Sequence, residues 1–95
     1  MKSYIYIITN GEDYKVGVSV NPQKRLKQLQ TGNSKKLSIV NTFEVPADDV
    51  YKMEKEAHKE IQICYEKRGE WFKKASAWHI NVLVDKVYQK FVKEE

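Results

Sequence analysis

The chain has 95 residues, of which 41% are hydrophobic and 32% charged, with a formal net charge of +4. This length fits one ordinary domain over residues 1–95, and the apolar content is too high for a disordered chain. The longest apolar stretch, Tyr4 to Ile8, is far shorter than the roughly 20 residues of a membrane helix, and no signal peptide is recognisable. One cysteine, Cys64, excludes an intramolecular disulfide, so we expect a cytoplasmic protein.

The charges are distributed unevenly along the chain. Between Tyr14 and Phe43 there are six cations and no acid, whereas the rest of the chain has eleven cations and thirteen acids. A basic segment of this kind is typical of proteins that bind a polyanion such as nucleic acid, because solvated faces usually mix both signs. The six cations are Lys15, Lys24, Arg25, Lys27, Lys35 and Lys36.

The first twenty residues predict a β-hairpin. Tyr4–Thr9 and Tyr14–Ser19 have strand composition and flank a turn over residues 10–13. Pairing the two ends of this turn places Tyr6 opposite Gly17 and Ile8 opposite Lys15. One face of the hairpin is then apolar and faces the core, and consists of Ile5, Ile7, Thr9, Tyr14, Val16 and Val18. The other face has Tyr4, Tyr6, Lys15, Gly17 and Ser19.

A short helix and a third strand follow the hairpin. Asn21 is a good N-cap and Pro22 suits the first helical position, while residues 31–33 (Thr-Gly-Asn) end the helix. Leu37–Val45 is predicted as a strand that ends at Pro46. This first helix is basic, and its apolar edge is short.

The last half of the chain predicts two amphipathic helices. Apolar residues at spacings of three and four indicate a helix from Asp48 to about Tyr65, with Cys64 on its core stripe and Arg68-Gly69 closing it. A second stripe predicts a helix from about Ser76 to Val92. The expected fold is therefore α+β, a small three-stranded antiparallel sheet flanked by helices in the order ββαβαα.

Short motifs lie on these elements in a definite order. They are Tyr4-Ile5-Tyr6, Lys15-Val16-Gly17, Arg25 on the first helix, Glu54 with His58 one turn later, and Gly69-Glu70-Trp71-Phe72. In this order the chain resembles the GIY-YIG nucleases over essentially its whole length, and most closely their compact phage and bacterial branch. That branch has a KIG-like second motif and a terminal GEWF element. Each motif alone is weak, but together they are fairly specific.

The resemblance implies a metal-dependent endonuclease that cleaves DNA in one step. Tyr6 matches the family's general base, Arg25 its phosphate-binding arginine, and Glu54 the glutamate that holds a divalent cation, usually Mg²⁺. Lys15 stands where most of the family has tyrosine and would stabilise phosphate charge, while Tyr4 stands in place of glycine. His58 and Glu70 would support the site.

Elementary chemistry agrees with these roles. A phenol normally titrates near pH 10, so Tyr6 needs nearby positive charge to act as a base. Lys15, diagonal to Tyr6 on the same strand face, could lower the tyrosine pKa, as could Arg25 or a metal ion. Gly17 opposite Tyr6 leaves space for the ring and the phosphate. One carboxylate can hold Mg²⁺, because this ion keeps several waters.

Simpler interpretations exist for the same residues. Tyr6 is also a typical packed strand aromatic, and Arg25 on an exposed helix is ordinarily a solvated charge. Glu54 and His58, four residues apart on a helix, can form a surface pair. At the level of function, the alternatives are a catalytically inactive nucleic-acid-binding or regulatory protein, and a protein-binding module whose acidic helix, Asp48 to Glu60, recruits a partner.

The expected partner is nucleic acid, more specifically DNA, contacted by the exposed cations Lys24, Lys27, Lys35 and Lys36. No helix-turn-helix or zinc module is present to read bases, so specificity would come from DNA structure, a homodimer or a partner protein. The branch resemblance implies a bacterial cytoplasm, or the host cytoplasm for a phage protein. No membrane partner is expected.

Overall fold

A five-stranded antiparallel sheet forms the centre of the computed structural model, which describes residues 2–93. The elements in chain order are β1 (Lys2–Thr9), β2 (Tyr14–Ser19), α1 (Pro22–Thr31), β3 (Ser38–Pro46), α2 (Val50–Cys64), β4 (Lys67–Arg68), β5 (Trp71–Phe72) and α3 (Ala77–Lys93). The strands lie in the order β3-β1-β2-β5-β4. The α+β class is confirmed, whereas the expected number of three strands is wrong.

The register predicted for the first hairpin is confirmed. Tyr4 lies opposite Ser19, Tyr6 opposite Gly17 and Ile8 opposite Lys15. The turn is held by the Asn10 side chain, whose Oδ1 accepts hydrogen bonds from the backbone N–H groups of Glu12 and Asp13 at 2.9 and 2.8 Å. Asparagine favours turns for this reason, so the turn chemistry sets which residues share a face.

Asp13 connects the end of this hairpin to the segment after β5. Its buried carboxylate accepts hydrogen bonds from Lys73 Nζ at 2.7 Å and from the Lys74 backbone N–H at 3.0 Å. The Lys73 hydrogen bond, with the Lys74 N–H, lowers the pKa of this carboxyl. Because a buried charge needs partners, this pairing keeps β5 next to β2.

Helices cover both faces of the sheet. Helices α2 and α3 pack on the face that carries Ile5, Ile7 and Val16, and together they form the main core. Helix α1 packs on the other face over a smaller cluster. That cluster consists of Tyr6, Ile8 and Leu37, with Leu26, Leu29, Ile39 and Trp71 packed against it.

The hairpin formed by β4 and β5 was not predicted. Arg68 pairs with Trp71, and Gly69 lies in the two-residue turn between them with a φ of +58°. Glycine adopts this left-handed conformation at no steric cost, so Arg68-Gly69 serves a hairpin rather than closing a helix. Phe72 is fully buried in the main core, as a strand residue beside β2.

Helix α2 is shorter than predicted, and one residue on its stripe is misplaced. The helix begins at Val50 and ends at Cys64, after which Tyr65 is extended, with φ −134° and ψ 144°. Tyr65 packs against the main core, whereas Cys64 is exposed. The prediction of a core position for Cys64 is therefore wrong, because the chain leaves the helix to form β4.

The other two helices agree closely with the sequence. Asn21 Oδ1 accepts a hydrogen bond from the Lys24 backbone N–H at 3.1 Å, and Pro22 is the first helical residue of α1. Helix α3 begins at Ala77, one residue after the predicted start. Within residues 2–93, no helix has both the length and the apolar content needed to cross a membrane.

Candidate active site

A pocket of about 690 Å³ lies along the edge of β2. Strand β5 pairs with β2 only through Phe72 and Tyr14, so the edge of β2 from Lys15 onward opens toward α1 and α2. The side chains that line the pocket come from β1, β2, α1, α2 and the β4–β5 hairpin. They are Tyr6, Lys15, Val16, Gly17, Val18, Arg25, Tyr51, Glu54, Lys55, His58, Lys59, Gln62, Lys67 and Glu70.

The pocket contains all six residues to which the sequence assigned a catalytic or metal-binding role: Tyr6, Lys15, Arg25, Glu54, His58 and Glu70. Five cationic side chains and two carboxylates line it, so its lining is positively charged. A concave site with excess positive charge attracts phosphate groups.

Tyr6 and Gly17 face each other in close contact. A Cβ atom at position 17 would overlap the hydroxyl and ring of Tyr6, so only glycine fits opposite this tyrosine. Although Tyr6 is only 2% exposed, it reaches the pocket through the space that Gly17 leaves. The expectation that Gly17 makes room for the ring is confirmed.

The pKa of Tyr6 is raised above 10.0, mainly because burial disfavours the phenolate. The Arg25 guanidinium opposes this effect through hydrogen bonding and positive charge. Glu70 and Glu54 raise the pKa slightly further through their negative charges. Of the cations expected to lower this pKa, Arg25 opposes the effect of burial, but burial outweighs it.

Lys15 is paired with Glu70. The Lys15 side chain is 6% exposed, and its Nζ lies 2.5 Å from Oε2 of Glu70, which is itself 75% exposed. Because the hydrogen bond and charge of Lys15 stabilise the carboxylate, the pKa of Glu70 is lowered. The Lys15 ammonium therefore lies in the pocket as one partner of an ion pair.

His58 holds α2 against the open edge of β2. Its Nε2 lies 2.8 Å from the Val16 carbonyl oxygen, so this nitrogen bears the proton and donates. Its Nδ1 then accepts from Lys67 Nζ at 3.3 Å. Burial lowers the pKa of His58 and keeps the ring neutral. Both ring nitrogens are thus engaged in hydrogen bonds, and the ring links α2 to β2 at the wall of the pocket.

Two carboxylates line the pocket. Glu70 is paired with Lys15, whereas Glu54 forms no ion pair with any residue in the range 2–93. Within residues 2–93, no group of three or more His, Cys, Asp or Glu side chains is placed to hold a metal ion. A single protein carboxylate is compatible with Mg²⁺, since this ion accepts one or two carboxylates and completes its shell with water and phosphate.

Sequence reasoning missed several residues of the pocket. Tyr51, Lys55, Lys59 and Gln62 lie on the same helical stripe of α2 as Glu54 and His58. The spacing within this stripe was a usable signal, because its members follow one another at steps of three and four residues and so share a helix face. Lys67 had no such signal, because its place depends on the β4–β5 hairpin.

The cations assigned to nucleic-acid binding lie outside the pocket. Lys24 and Lys27 are exposed on α1, and Lys35 and Lys36 are exposed on the loop that follows it. Lys35 Nζ lies 3.6 Å from a carboxylate oxygen of Glu12, in an exposed ion pair. The basic segment therefore divides into two groups, with Lys15 and Arg25 in the pocket and the other four on the surface.

Comparison with known proteins gives one match. The model of the T5orf172 domain family matches residues 3–92 of the chain. This family is associated with the GIY-YIG nuclease-like group. No curated protein and no solved structure gives a significant match. Because the matched region covers nearly the whole chain, the protein belongs to the T5orf172 domain family.

Proposed function

We propose that the protein is a divalent-metal-dependent endonuclease that hydrolyses DNA phosphodiester bonds in this pocket. The observation that supports the proposal most is the convergence of Tyr6 from β1, Arg25 from α1 and Glu54 from α2 on one positively charged pocket. These residue types supply the three needs of the reaction: a base, a cation for the phosphate and a carboxylate for a metal ion.

In this proposal Tyr6 is the general base. Burial keeps its hydroxyl protonated at neutral pH, and the Arg25 guanidinium stabilises the phenolate when the proton leaves. Arg25 also lies in the pocket where it can neutralise charge on the phosphate. Cleavage should therefore become faster as the pH rises, since a larger fraction of Tyr6 is then deprotonated.

Lys15, Glu70 and His58 have supporting roles. The Lys15 ammonium is held in the pocket by Glu70, ready to stabilise a phosphate that approaches the same edge of β2. His58 fixes α2 to β2 through the Val16 carbonyl, and so fixes the distance between Glu54 and Tyr6. Contacts of this kind, made by residues that support the reacting groups, keep those groups in their productive geometry.

Glu54 would hold the divalent cation, with Mg²⁺ as the ion that its single carboxylate suits. When bound, such an ion would lower the pKa of a coordinated water and neutralise phosphate charge. The surface cations Lys24, Lys27, Lys35 and Lys36 would contact the DNA backbone beyond the pocket. DNA structure, a homodimer or a partner protein would then supply specificity.

The test is Glu54→Gln in a plasmid-nicking assay with and without Mg²⁺. We expect the variant to lose metal-dependent nicking, because the amide keeps the size of the side chain and removes its anionic oxygen. The matched control is Glu56→Gln, a change on the same helix at a residue that does not line the pocket.

DNA binding measured in EDTA by gel shift completes this experiment. Glu54→Gln should bind DNA about as well as the wild type, since the positive side chains remain. A folded Glu54→Gln protein that nicks at the wild-type rate would exclude Glu54 from the site. Binding by the wild-type protein with no nicking under any divalent ion would favour the inactive nucleic-acid-binding alternative.

A further inference from the structure

We infer that the pocket-facing stripe of α2 binds a single-stranded segment of the DNA substrate. In this arrangement Tyr51 stacks on an unpaired base, and Lys55 and Lys59 contact phosphates of the same strand. The inference rests on the proposed function, because it places the strand beside Tyr6, Arg25 and Glu54. It adds the form of the substrate and the residues that would recognise it.

The first observation is a second stripe on α2 beside its apolar one. The apolar stripe, Val50, Met53, Ala57 and Ile61, is fully buried in the main core. The stripe next to it lines the pocket and consists of Tyr51, Glu54, Lys55, His58, Lys59 and Gln62. The apolar stripe packs α2 in the main core and His58 links the helix to β2, so the composition of the rest of the neighbouring stripe requires another explanation.

The second observation is the exposure of Tyr51. This tyrosine is 72% exposed at the pocket and belongs to neither hydrophobic cluster. By contrast, Tyr65 and Tyr88 pack against the main core. A large aromatic ring that contributes nothing to packing and borders a cationic pocket offers a free face for stacking on a base.

The third observation concerns the exposure and the ion pairing of the two lysines of this stripe. Lys55 and Lys59 are exposed, and neither forms an ion pair with any residue in the range 2–93. They are four residues apart, so the helix places them about 6 Å apart along its axis. Two such charges in line with Tyr51 form a track for the phosphates of one strand.

These features favour a single strand over a duplex. In a duplex each base is stacked on its neighbours and has no free face for Tyr51. An unpaired base can stack on an aromatic ring whatever its identity, while the lysines bind the backbone electrostatically. The stripe thus combines the two kinds of contact used for single strands, an aromatic ring and cationic side chains.

The experiment measures the binding of short fluorescein-labelled DNA in EDTA, as a single strand and as the corresponding duplex, by fluorescence anisotropy. Tyr51→Ala should raise the Kd for the single strand roughly tenfold and leave the duplex Kd nearly unchanged. Tyr51→Phe should bind like the wild type, because the ring is retained. The matched control is Trp78→Ala, which removes an aromatic residue of similar exposure, 74%, from α3 outside the pocket.

Salt dependence tests the lysines. The double variant Lys55→Ala/Lys59→Ala should reduce the slope of log K against log salt for the single strand by about 1.4, the value for two lost phosphate contacts. The control Lys52→Ala/Lys90→Ala removes two exposed helical lysines that do not line the pocket, and should leave the slope unchanged.

Several results would overturn the inference. These are an unchanged single-strand Kd in Tyr51→Ala, an equal loss for strand and duplex, or an equal loss in Trp78→Ala. An unchanged salt slope for the single strand in Lys55→Ala/Lys59→Ala would also overturn the inference. All of these readouts are taken without metal. They can therefore fail while Glu54-dependent nicking stands, and they can succeed even if Glu54→Gln still nicks DNA.

Discussion

The two faces of the β1–β2 hairpin are buried to a similar extent but contain different chemistry. On the core face, Ile5 and Ile7 are completely buried among apolar neighbours. On the pocket face, Tyr6 and Lys15 are 2% and 5% exposed, and their polar groups interact with Arg25 and Glu70. Burying a hydroxyl or a charge is costly without such partners, whereas burying an isoleucine is favourable. Low exposure therefore marks structure on one face and a candidate reaction site on the other.

The largest expected effect is the difference between a substitution on the pocket face of the hairpin and one on its core face. Tyr6→Phe should reduce the cleavage rate roughly a hundredfold or more, because it removes the proposed base and retains the packed ring. Ile7→Ala, on the other face, should lower the free energy of unfolding by about 2–5 kcal/mol and leave the rate per folded molecule nearly unchanged. Nicking kinetics measure the cleavage rates of both variants, and urea unfolding measures their free energies of unfolding. A fast-cleaving Tyr6→Phe protein would remove Tyr6 from the mechanism.

The next effect concerns the space between Tyr6 and Gly17. In Gly17→Ala the new methyl group overlaps the Tyr6 hydroxyl, so the ring must move. We expect a loss of about 1–3 kcal/mol of stability, the usual cost of overpacking, together with slower cleavage. Gly32→Ala is the control, since its Cβ would meet no atom within 4 Å and its φ is negative. Equal behaviour of the two variants in thermal unfolding and nicking would contradict the close packing.

A third prediction distinguishes the two cations nearest Tyr6. Because Arg25 lowers the pKa of Tyr6 against the effect of burial, Arg25→Gln should raise this pKa. The rise of the cleavage rate with pH should then move to a higher pH in this variant. Lys15→Met should move it less, since Lys15 forms its ion pair with Glu70. Rate profiles over the alkaline range measure both shifts, and a larger shift for Lys15→Met would reverse the assignment.

The smallest effect is expected on the helix that covers the pocket face. Lys24→Glu/Lys27→Glu should weaken DNA binding across all sequences and lower the salt slope by about two, because both residues are exposed and are proposed to contact the DNA backbone. Cleavage at saturating DNA should stay close to the wild-type rate, since neither residue lines the pocket. Filter binding over a salt series checks this. Affinity that does not depend on salt would contradict electrostatic binding.

Much of the candidate site could be predicted residue by residue, but its interactions could not. The motif order indicated Tyr6, Arg25 and Glu54, and all three line one pocket. The sequence did not indicate that burial raises the pKa of Tyr6, because burial depends on α1 packing over the strand. The pairing of Lys15 with Glu70 was not indicated for a related reason: the two residues are 55 positions apart in the chain.

The sequence by itself determined the features that depend on neighbours along the chain. The Asn10 turn set the hairpin register, Asn21 and Pro22 set the start of α1, and apolar spacing identified the core stripes of α2 and α3. Only the tertiary structure decided which groups meet across the fold. The β4–β5 hairpin is two residues long on each side, too short for a strand pattern, and it exists because Phe72 is buried beside β2. The hydrogen bond of His58 to the Val16 carbonyl, across 42 positions, likewise follows from packing, since a free strand edge needs partners that local sequence does not specify.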